Sequence, residues 1–245
     1  MPRIELKHIT KKFGKFVAVD DLNMVIEDRS CVTLLGPSGC GKTTTLRMSA
    51  GRESRSEGII TINDKVVFSS EDGIDVPPDK RDVGFLFQNY ALWPHMTVYK
   101  NIAFGLENLK WSKEAIKTRV EELLAMLKIS EFAARYPSEL SGGQQQKVMI
   151  AHNIAKEPDL FMLDEPFSNL DFRAREFLQD VFKGMVQQGV PILMVAHAFD
   201  GLPDIPIHLV VMNRGRITGD LSCQAGEVEE IIRKECEVKE RCSSG

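Results

Sequence analysis

Gly36-Pro37-Ser38-Gly39-Cys40-Gly41-Lys42-Thr43-Thr44 is the stretch from which the rest of the sequence can be read. It fits G-x-x-x-x-G-K-[ST], a loop whose glycines let the backbone curl until successive N–H groups point inward at phosphate oxygens. The apolar run Val32-Thr33-Leu34-Leu35 precedes it, and Thr44 to Ala50 reads as a helix, which is the strand–loop–helix context the motif requires. Such a helix turns the positive end of its dipole toward the bound anion. Lys42 is placed to reach the β- and γ-phosphates of a nucleotide, and the Thr43 hydroxyl to ligate magnesium. By average composition the pattern arises by chance roughly once in a hundred chains of this length, so a random glycine-rich turn is the weaker reading.

Downstream, Phe161-Met162-Leu163-Asp164-Glu165 is an apolar strand that ends in two acids. Beside a phosphate loop, Asp164 suits the role of holding magnesium near the β- and γ-phosphates. Glu165, one residue on, is placed to orient or deprotonate the attacking water. Alone, such a pair is as often a solvated turn; the loop at residues 36–43 tips the balance.

Working outward, Val83 to Phe87, Leu160 to Leu163, Ile192 to Ala196 and Leu209 to Met212 are further near-continuous apolar runs. These suit strands of a parallel sheet covered on both faces. Ile4 to Ile26 alternates more and reads as an antiparallel edge, to which Gly58 to Val67 is expected to add. Lys113 to Lys128 puts Ile116, Val120, Leu123, Leu124 and Leu127 on one helical stripe with Ser112 as N-cap. From about Asn89 to Lys156 the chain reads mostly as helix, a lobe inserted between two strands. The expected fold is α/β, with a mainly parallel sheet core, an N-terminal antiparallel β part and an inserted α-helical lobe. No repeat or long linker breaks the chain, so residues 1–225 are expected to form one domain and 226–245 a short tail with a helix over Glu227 to Glu235.

The net charge of −4 gives no reason to expect nucleic acid as a partner. No apolar run approaches the roughly 20 residues that span a bilayer, and the N-terminus lacks the apolar stretch of a secretory signal. The five cysteines, Cys31, Cys40, Cys223, Cys236 and Cys242, are odd in number and form no Cys-x-x-Cys pair. They read as free thiols in a reducing compartment.

Leu140-Ser141-Gly142-Gly143-Gln144 opens another helix with a serine cap and bare glycine amides, a second anion-binding terminus in the same chain. With the loop and the acid pair it resembles the signature pentapeptide of ABC ATPases, and the resemblance covers about Ile4 to Ile217. The resemblance implies a P-loop NTPase fold and a magnesium-dependent ATPase, with ATP and Mg2+ as ligands. It implies that Phe13 and Val19 lie in the region that stacks on adenine, and that Gly36, Pro37, Ser38, Gly39, Cys40, Gly41, Lys42, Thr43 and Thr44 hold the phosphates. Gln88 matches the glutamine that senses magnesium and the γ-phosphate, Ser168-Asn169-Leu170-Asp171 the D-loop, and His197 the histidine that contacts the γ-phosphate. Two cassettes of this family dimerise head to tail, so Ser141, Gly142, Gly143 and Gln144 are expected to complete the site of a second copy.

Val76-Pro77-Pro78-Asp79-Lys80-Arg81-Asp82-Val83 and Phe87 to Val98 are similar to importers of the maltose, multiple-sugar, polyamine and ferric-iron group. That likeness implies uptake through separate transmembrane permease subunits and a place on the cytoplasmic face of the membrane. The permeases are expected to dock near Tyr90–Val98, with Leu92, Trp93, Pro94 and Met96 as an exposed apolar patch. The sequence departs from the pattern at Lys147 and His152, where the family commonly has arginine, and at Ala198 to Pro206, where two prolines and a glycine disfavour a helix. It stops at Gly245, short of the regulatory domain usual in the group. A regulatory module with weak turnover and a soluble ATPase of DNA repair or translation are the alternatives; an exporter subunit also fits the resemblance.

Overall fold

Along the strands at the centre of the molecule, alternate residues feed two separate apolar cores. Phe161 and Leu163 enter one core, while Leu160 and Met162 enter the other; Ile192 and Met194 divide from Leu193 and Val195 in the same way. A strand buried on both faces needs apolar side chains at every position, which is why these runs do not alternate with polar residues. The computed structural model describes residues 4–53, 56–86, 92–167, 172–196 and 205–224.

The sheet between the two cores contains β3 (Cys31–Leu35), β7 (Val83–Leu86), β8 (Leu160–Asp164), β9 (Ile192–Val195), β10 (Pro206–Asn213) and β11 (Arg216–Gln224). Their order is β11-β10-β3-β9-β8-β7, with parallel pairing throughout except for β11, which returns antiparallel along β10. A second sheet, antiparallel, has the order β2-β1-β4-β5-β6. It is built from β1 (Ile4–Phe13), β2 (Phe16–Ile26), β4 (Ser56–Ile62), β5 (Lys65–Ser69) and β6 (Ile74–Asp75). Its apolar face and α1 (Lys42–Ser49) close one core. The other lies under α2 (Val98–Asn108), α3 (Lys113–Met126), α4 (Gly142–Ile154) and α5 (Phe172–Gln187). Phe161, Phe167 and Phe182 stack there with ring centroids 5.7 and 6.3 Å apart, and truncating either fully buried ring at Phe161 or Phe182 is expected to cost about 3–5 kcal/mol.

The α/β class, the antiparallel N-terminal part and the helical insert agree with the reading of the sequence. The insert is less helical than expected: residues 92–97 form turns, and residues 127–141 contain only two short 3₁₀ segments. Pro94 and Pro137 interrupt those stretches, and Pro137 starts a 3₁₀ turn instead of continuing a helix. The Ser112 hydroxyl accepts from the Ala115 amide as expected, and Ile116, Val120, Leu123, Leu124 and Leu127 are all buried; α3 itself stops at Met126. The expected helix over Glu227 to Glu235 and the segment from Ala198 to Asp204 lie outside the described residues.

Register positions the functional edge. Leu34 of β3 lies opposite Val195 of β9, and Val195 opposite Asp164 of β8; Leu86 of β7 pairs with Leu163. The carboxyl ends of four parallel strands therefore form one row, which is where open α/β sheets gather their ligands.

Candidate functional site

The loop between β3 and α1 is folded onto two supports. Gly41 has φ +107°, and a Cβ there would meet the Ala18 carbonyl oxygen at 2.4 Å; at Gly36 a Cβ would meet the Met212 carbonyl at 2.1 Å. Both glycines are required by close backbone approach as well as by conformation. The Cys40 carbonyl accepts from the Gly215 amide at 3.0 Å, so the β10–β11 turn holds the loop from the side. Val19, fully buried, presses its methyl against Gly41 from below.

Helix α1 starts differently from its neighbours. Thr97, Ser112 and Ser141 each cap a helix with a side-chain oxygen, whereas Gly41 offers α1 none. The first intrahelical bond runs from the Thr45 amide to the Gly41 carbonyl at 2.8 Å, which leaves the amides of Lys42, Thr43 and Thr44 for an anion at the positive end of the helix. Lys42 is 4% exposed, and its Nζ donates to the Gly36 and Pro37 carbonyls at 2.7 and 3.0 Å, with the buried Cys40 Sγ at 3.8 Å. The ammonium is thereby held inside the curl of the loop.

The acids arrive from β8. Thr43 Oγ1 donates to Asp164 Oδ1 at 3.1 Å across 121 residues of chain, and Asp164 Oδ2 is 3.8 Å from the Arg47 guanidinium. A hydroxyl and a carboxylate, both hard oxygen donors, side by side at 5% exposure of the acid, form a donor set that fits Mg2+. Glu165 follows with φ +53°, a left-handed conformation uncommon in a non-glycine residue, and its amide donates to the Val195 carbonyl at 3.1 Å. That twist carries Glu165 out of the sheet and into a cleft of about 320 Å³ whose wall also includes Lys42, Thr43 and Gly39.

At the open end of the same cleft stand Phe13 and Phe16, paired across the end of the β1–β2 hairpin and exposed by 48% and 61%. Lys11 Nζ lies 4.8 Å from the Phe13 centroid and is held by Glu53 at 2.9 Å, fixing one ring by a cation–π contact. A second hollow of about 370 Å³ shares Phe16, Ser38 and Gly39 and extends past Pro37 and Cys40 to Arg214. Phe16 was missed by sequence reading; its pairing with Phe13 across a two-residue turn containing Gly14 was the available signal.

The structure thus brings together Phe13, Ser38, Gly39, Gly41, Lys42, Thr43, Thr44 and Glu165 in one cleft, with Asp164 hydrogen-bonded to Thr43. Val19 is corrected: at 0% exposure it has no surface to offer a base and serves as the floor of the loop. Gly36 lies against the Met212 carbonyl, and the Cys40 Sγ is 3.8 Å from the Lys42 Nζ. Gln88, Asp171 and His197, with the rest of the D-loop stretch, lie outside the described residues.

Ser141, Gly142, Gly143 and Gln144 do not line this cleft. Ser141 Oγ accepts from the Gln144 amide at 3.4 Å, and Gln144 Oε1 accepts from the Ser141 amide at 2.8 Å, a reciprocal cap. Ser141 and Gly142 are exposed, and a Cβ on either glycine would meet nothing within 4 Å, so this terminus faces open space.

The expected apolar patch is also modified. Pro94 is exposed, but Leu92, Trp93 and Met96 are partly buried. Trp93 packs on Phe104 and, edge-on, on His152, with centroids 4.6 and 5.1 Å apart. Asn101, fully buried and unremarked in the sequence, accepts from the Trp93 amide and donates to the Trp93, Met96 and Thr97 carbonyls at 2.9–3.2 Å. His152 Nδ1 lies 2.6 Å from the Asn101 carbonyl, so that nitrogen carries the proton. Lys147 rests 4.0 Å over the Phe177 ring, and burial with the nearby Lys128 charge lowers its pKa.

A family model described as ABC transporter matches residues 19–168. The trehalose/maltose import ATP-binding protein MalK of Thermococcus litoralis is 43% identical over 235 residues, 96% of this chain and 62% of that protein. The spermidine/putrescine import ATP-binding protein PotA of Haemophilus influenzae is 40% identical over 220 residues, 89% of this chain and 58% of that protein. The chain thus spans about three-fifths of the length of these curated relatives. Among solved structures, a nucleotide-free ATP-binding cassette superposes with a TM-score of 0.80 at 22% identity, covering 95% of this chain and 96% of the other. A dimeric cassette in a post-hydrolysis state, bound to ADP and Pi, gives 0.76 at 27% identity over 89% and 98% of the two chains. The chain belongs to the ABC transporter family.

Proposed function

We propose that this chain hydrolyses ATP to energise solute uptake through separate membrane subunits. The observation that carries the reading is the bond from Thr43 Oγ1 to Asp164 Oδ1, which draws the acid-bearing end of β8 onto the first turn of α1, with Lys42 and Glu165 sharing the adjacent cleft. The open amides at the start of α1 and the Lys42 ammonium bind the β- and γ-phosphates, with negative charge that grows in the transition state met by donors already in place. Thr43, Asp164 and, by the family's pattern, Gln88 would hold Mg2+, which neutralises phosphate charge when bound. Glu165 orients the attacking water and accepts its proton; His197 contacts the γ-phosphate. Phe13 and Phe16 offer ring faces to the base.

In this reading two copies pack head to tail. The exposed amide terminus at Ser141 and Gly143 closes over the nucleotide of a second copy, so ATP is part of the interface. The relatives named for trehalose/maltose and spermidine/putrescine import favour uptake as the direction. The permease is proposed to dock beside Tyr90–Val98, where Pro94 is exposed and Trp93 presents only part of its ring. Among the described residues no helix is long and apolar enough to cross a membrane. In this reading the work is delivered to a partner at the cytoplasmic face of the membrane. Residues 1–225 act as the ATPase domain in this proposal, with 89–156 as its lobe.

Glu165→Gln tests the assignment. ATP binding is expected to persist while hydrolysis falls by about a hundredfold or more. Size-exclusion chromatography with ATP and magnesium should show a trapped dimer. Hydrolysis at the wild-type rate would remove Glu165 from the chemistry.

A further inference from the structure

We propose that Gln146 is the positioning residue through which the Ser141 end of α4 sets the Glu165 carboxylate, making hydrolysis in one nucleotide site depend on occupancy of the other. The inference rests on the head-to-tail reading above.

Gln146 is 3% exposed, and its Nε2 donates to the Pro166 carbonyl at 2.8 Å. Pro166 directly follows Glu165, whose own amide is fixed to Val195 at 3.1 Å. Glu165 is therefore bracketed, tied to the sheet on one side and to α4 on the other, around a left-handed backbone. Seven residues after Gln146, about two helical turns and so on the same face, Asn153 Oδ1 accepts from the Phe85 amide at 3.2 Å. Its Nδ2 donates to Met149 within α4 at 2.8 Å, which sets the orientation of the amide. One face of α4 thus grips both β7, which leads to Gln88, and the turn that carries Glu165. The N-terminal end of the same 13-residue helix, one turn before Gln146, is the exposed, glycine-rich terminus that would meet a partner's triphosphate.

A helix moves as a unit, because its backbone hydrogen bonds resist internal strain. A shift of its first turn on engaging a second copy's phosphates is therefore felt at Gln146, one turn along. Proline has no amide to anchor that position, so its carbonyl is the backbone handle available there. The buried amide–carbonyl bond transmits the shift to Glu165, whereas the phosphate loop, held by β2 and by the β10–β11 turn, does not move with it.

Gln146→Leu and Gln146→Glu test this. Calorimetry should give an ATP Kd within twofold of wild type for both. The kcat should fall about tenfold, the rate equivalent of one neutral hydrogen bond, and the Hill coefficient for ATP should drop toward 1. In Gln146→Glu an ionised carboxylate cannot donate to the Pro166 carbonyl, but protonation restores an O–H donor. At a site only 3% exposed, desolvation raises a carboxyl's pKa toward neutrality, so the activity of this variant relative to wild type should recover several-fold between pH 8 and pH 6, which a packing role alone would not produce. This near-isosteric variant also carries the test if the leucine variant does not fold. The proposal is overturned if kcat and Hill coefficient stay within twofold of wild type, if ATP affinity falls in step with kcat, or if the pH 6 to pH 8 ratio matches wild type. A wild-type chain that binds ATP without hydrolysing it overturns the ATPase reading itself, and a wild-type Hill coefficient of 1 with normal turnover overturns the relay alone.

Discussion

Burial holds the His152 imidazole below its ordinary pKa, and the Lys156 ammonium adds to this, while the bond to the Asn101 carbonyl acts in the opposite direction. A depressed histidine is neutral in the fold and takes up a proton more readily once unfolded. Its contribution to stability is therefore fully present above the unfolded value of about 6.5 and is lost as pH falls below it. Around the ring stand the edge of Trp93 and the α2 carbonyl, with Lys156 just past the end of α4, so an added positive charge meets no carboxylate among these neighbours. Thermal melts from pH 7.5 to 5.5 should show a steeper loss for wild type than for His152→Gln. Parallel curves would show that His152 does not set the acid limb. The same chemistry accounts for Lys147: its ammonium keeps an aromatic partner in Phe177, so the substitution away from arginine costs the planar fork but not the charge.

The segment before α2 shows how an element can be organised by one buried side chain. Residues 92–97 have few partners for their backbone groups within regular structure, and Asn101 supplies them with one acceptor and two donor hydrogens. Two N–H groups serve three carbonyls at 3.0–3.2 Å, so at least one bond is shared. Asn101→Leu fills comparable volume but leaves the Trp93 amide and carbonyl without this partner. The expected loss is about 2–3 kcal/mol, read from urea unfolding at constant m-value. A loss under 0.5 kcal/mol would mean that water substitutes for the amide. Because this turn presents Pro94 and part of Trp93, where the membrane subunits are proposed to dock, the same variant should weaken that proposed assembly more than it weakens ATP binding.

At the scale of the whole molecule, ligand binding and folding stability are linked, since the site is assembled from β2, β3, α1, β8 and the β10–β11 turn. A nucleotide that binds this arrangement and not the unfolded chain stabilises it by about 2.7 kcal/mol at a hundred times its Kd. For a chain of 245 residues that corresponds to a rise in Tm of roughly 5–10 °C. ATP with magnesium should produce this shift in wild type, chelation should reduce it, and Lys42→Ala should remove most of it. An equal shift in Lys42→Ala would count against the loop as the binding element. The measurement needs no turnover, so it separates binding from the roles given to Glu165 and Gln146.

The sequence by itself determined the loop at residues 36–43, the acid pair, the strands of the central sheet and the stripe of α3. Each of these is written locally, in a motif a few residues long or in a hydrophobic period. Tertiary structure alone decided which neighbours act. Val19 and Phe16 lie in the same strand, yet the first is the loop's floor and the second faces the cleft, because hairpin register and the position of Gly41 settle which side is covered. The bonds from Thr43 to Asp164 and from Gln146 to Pro166 join residues 121 and 20 positions apart. No local pattern encodes them; strand order, parallel register and the angle at which α4 crosses the sheet do.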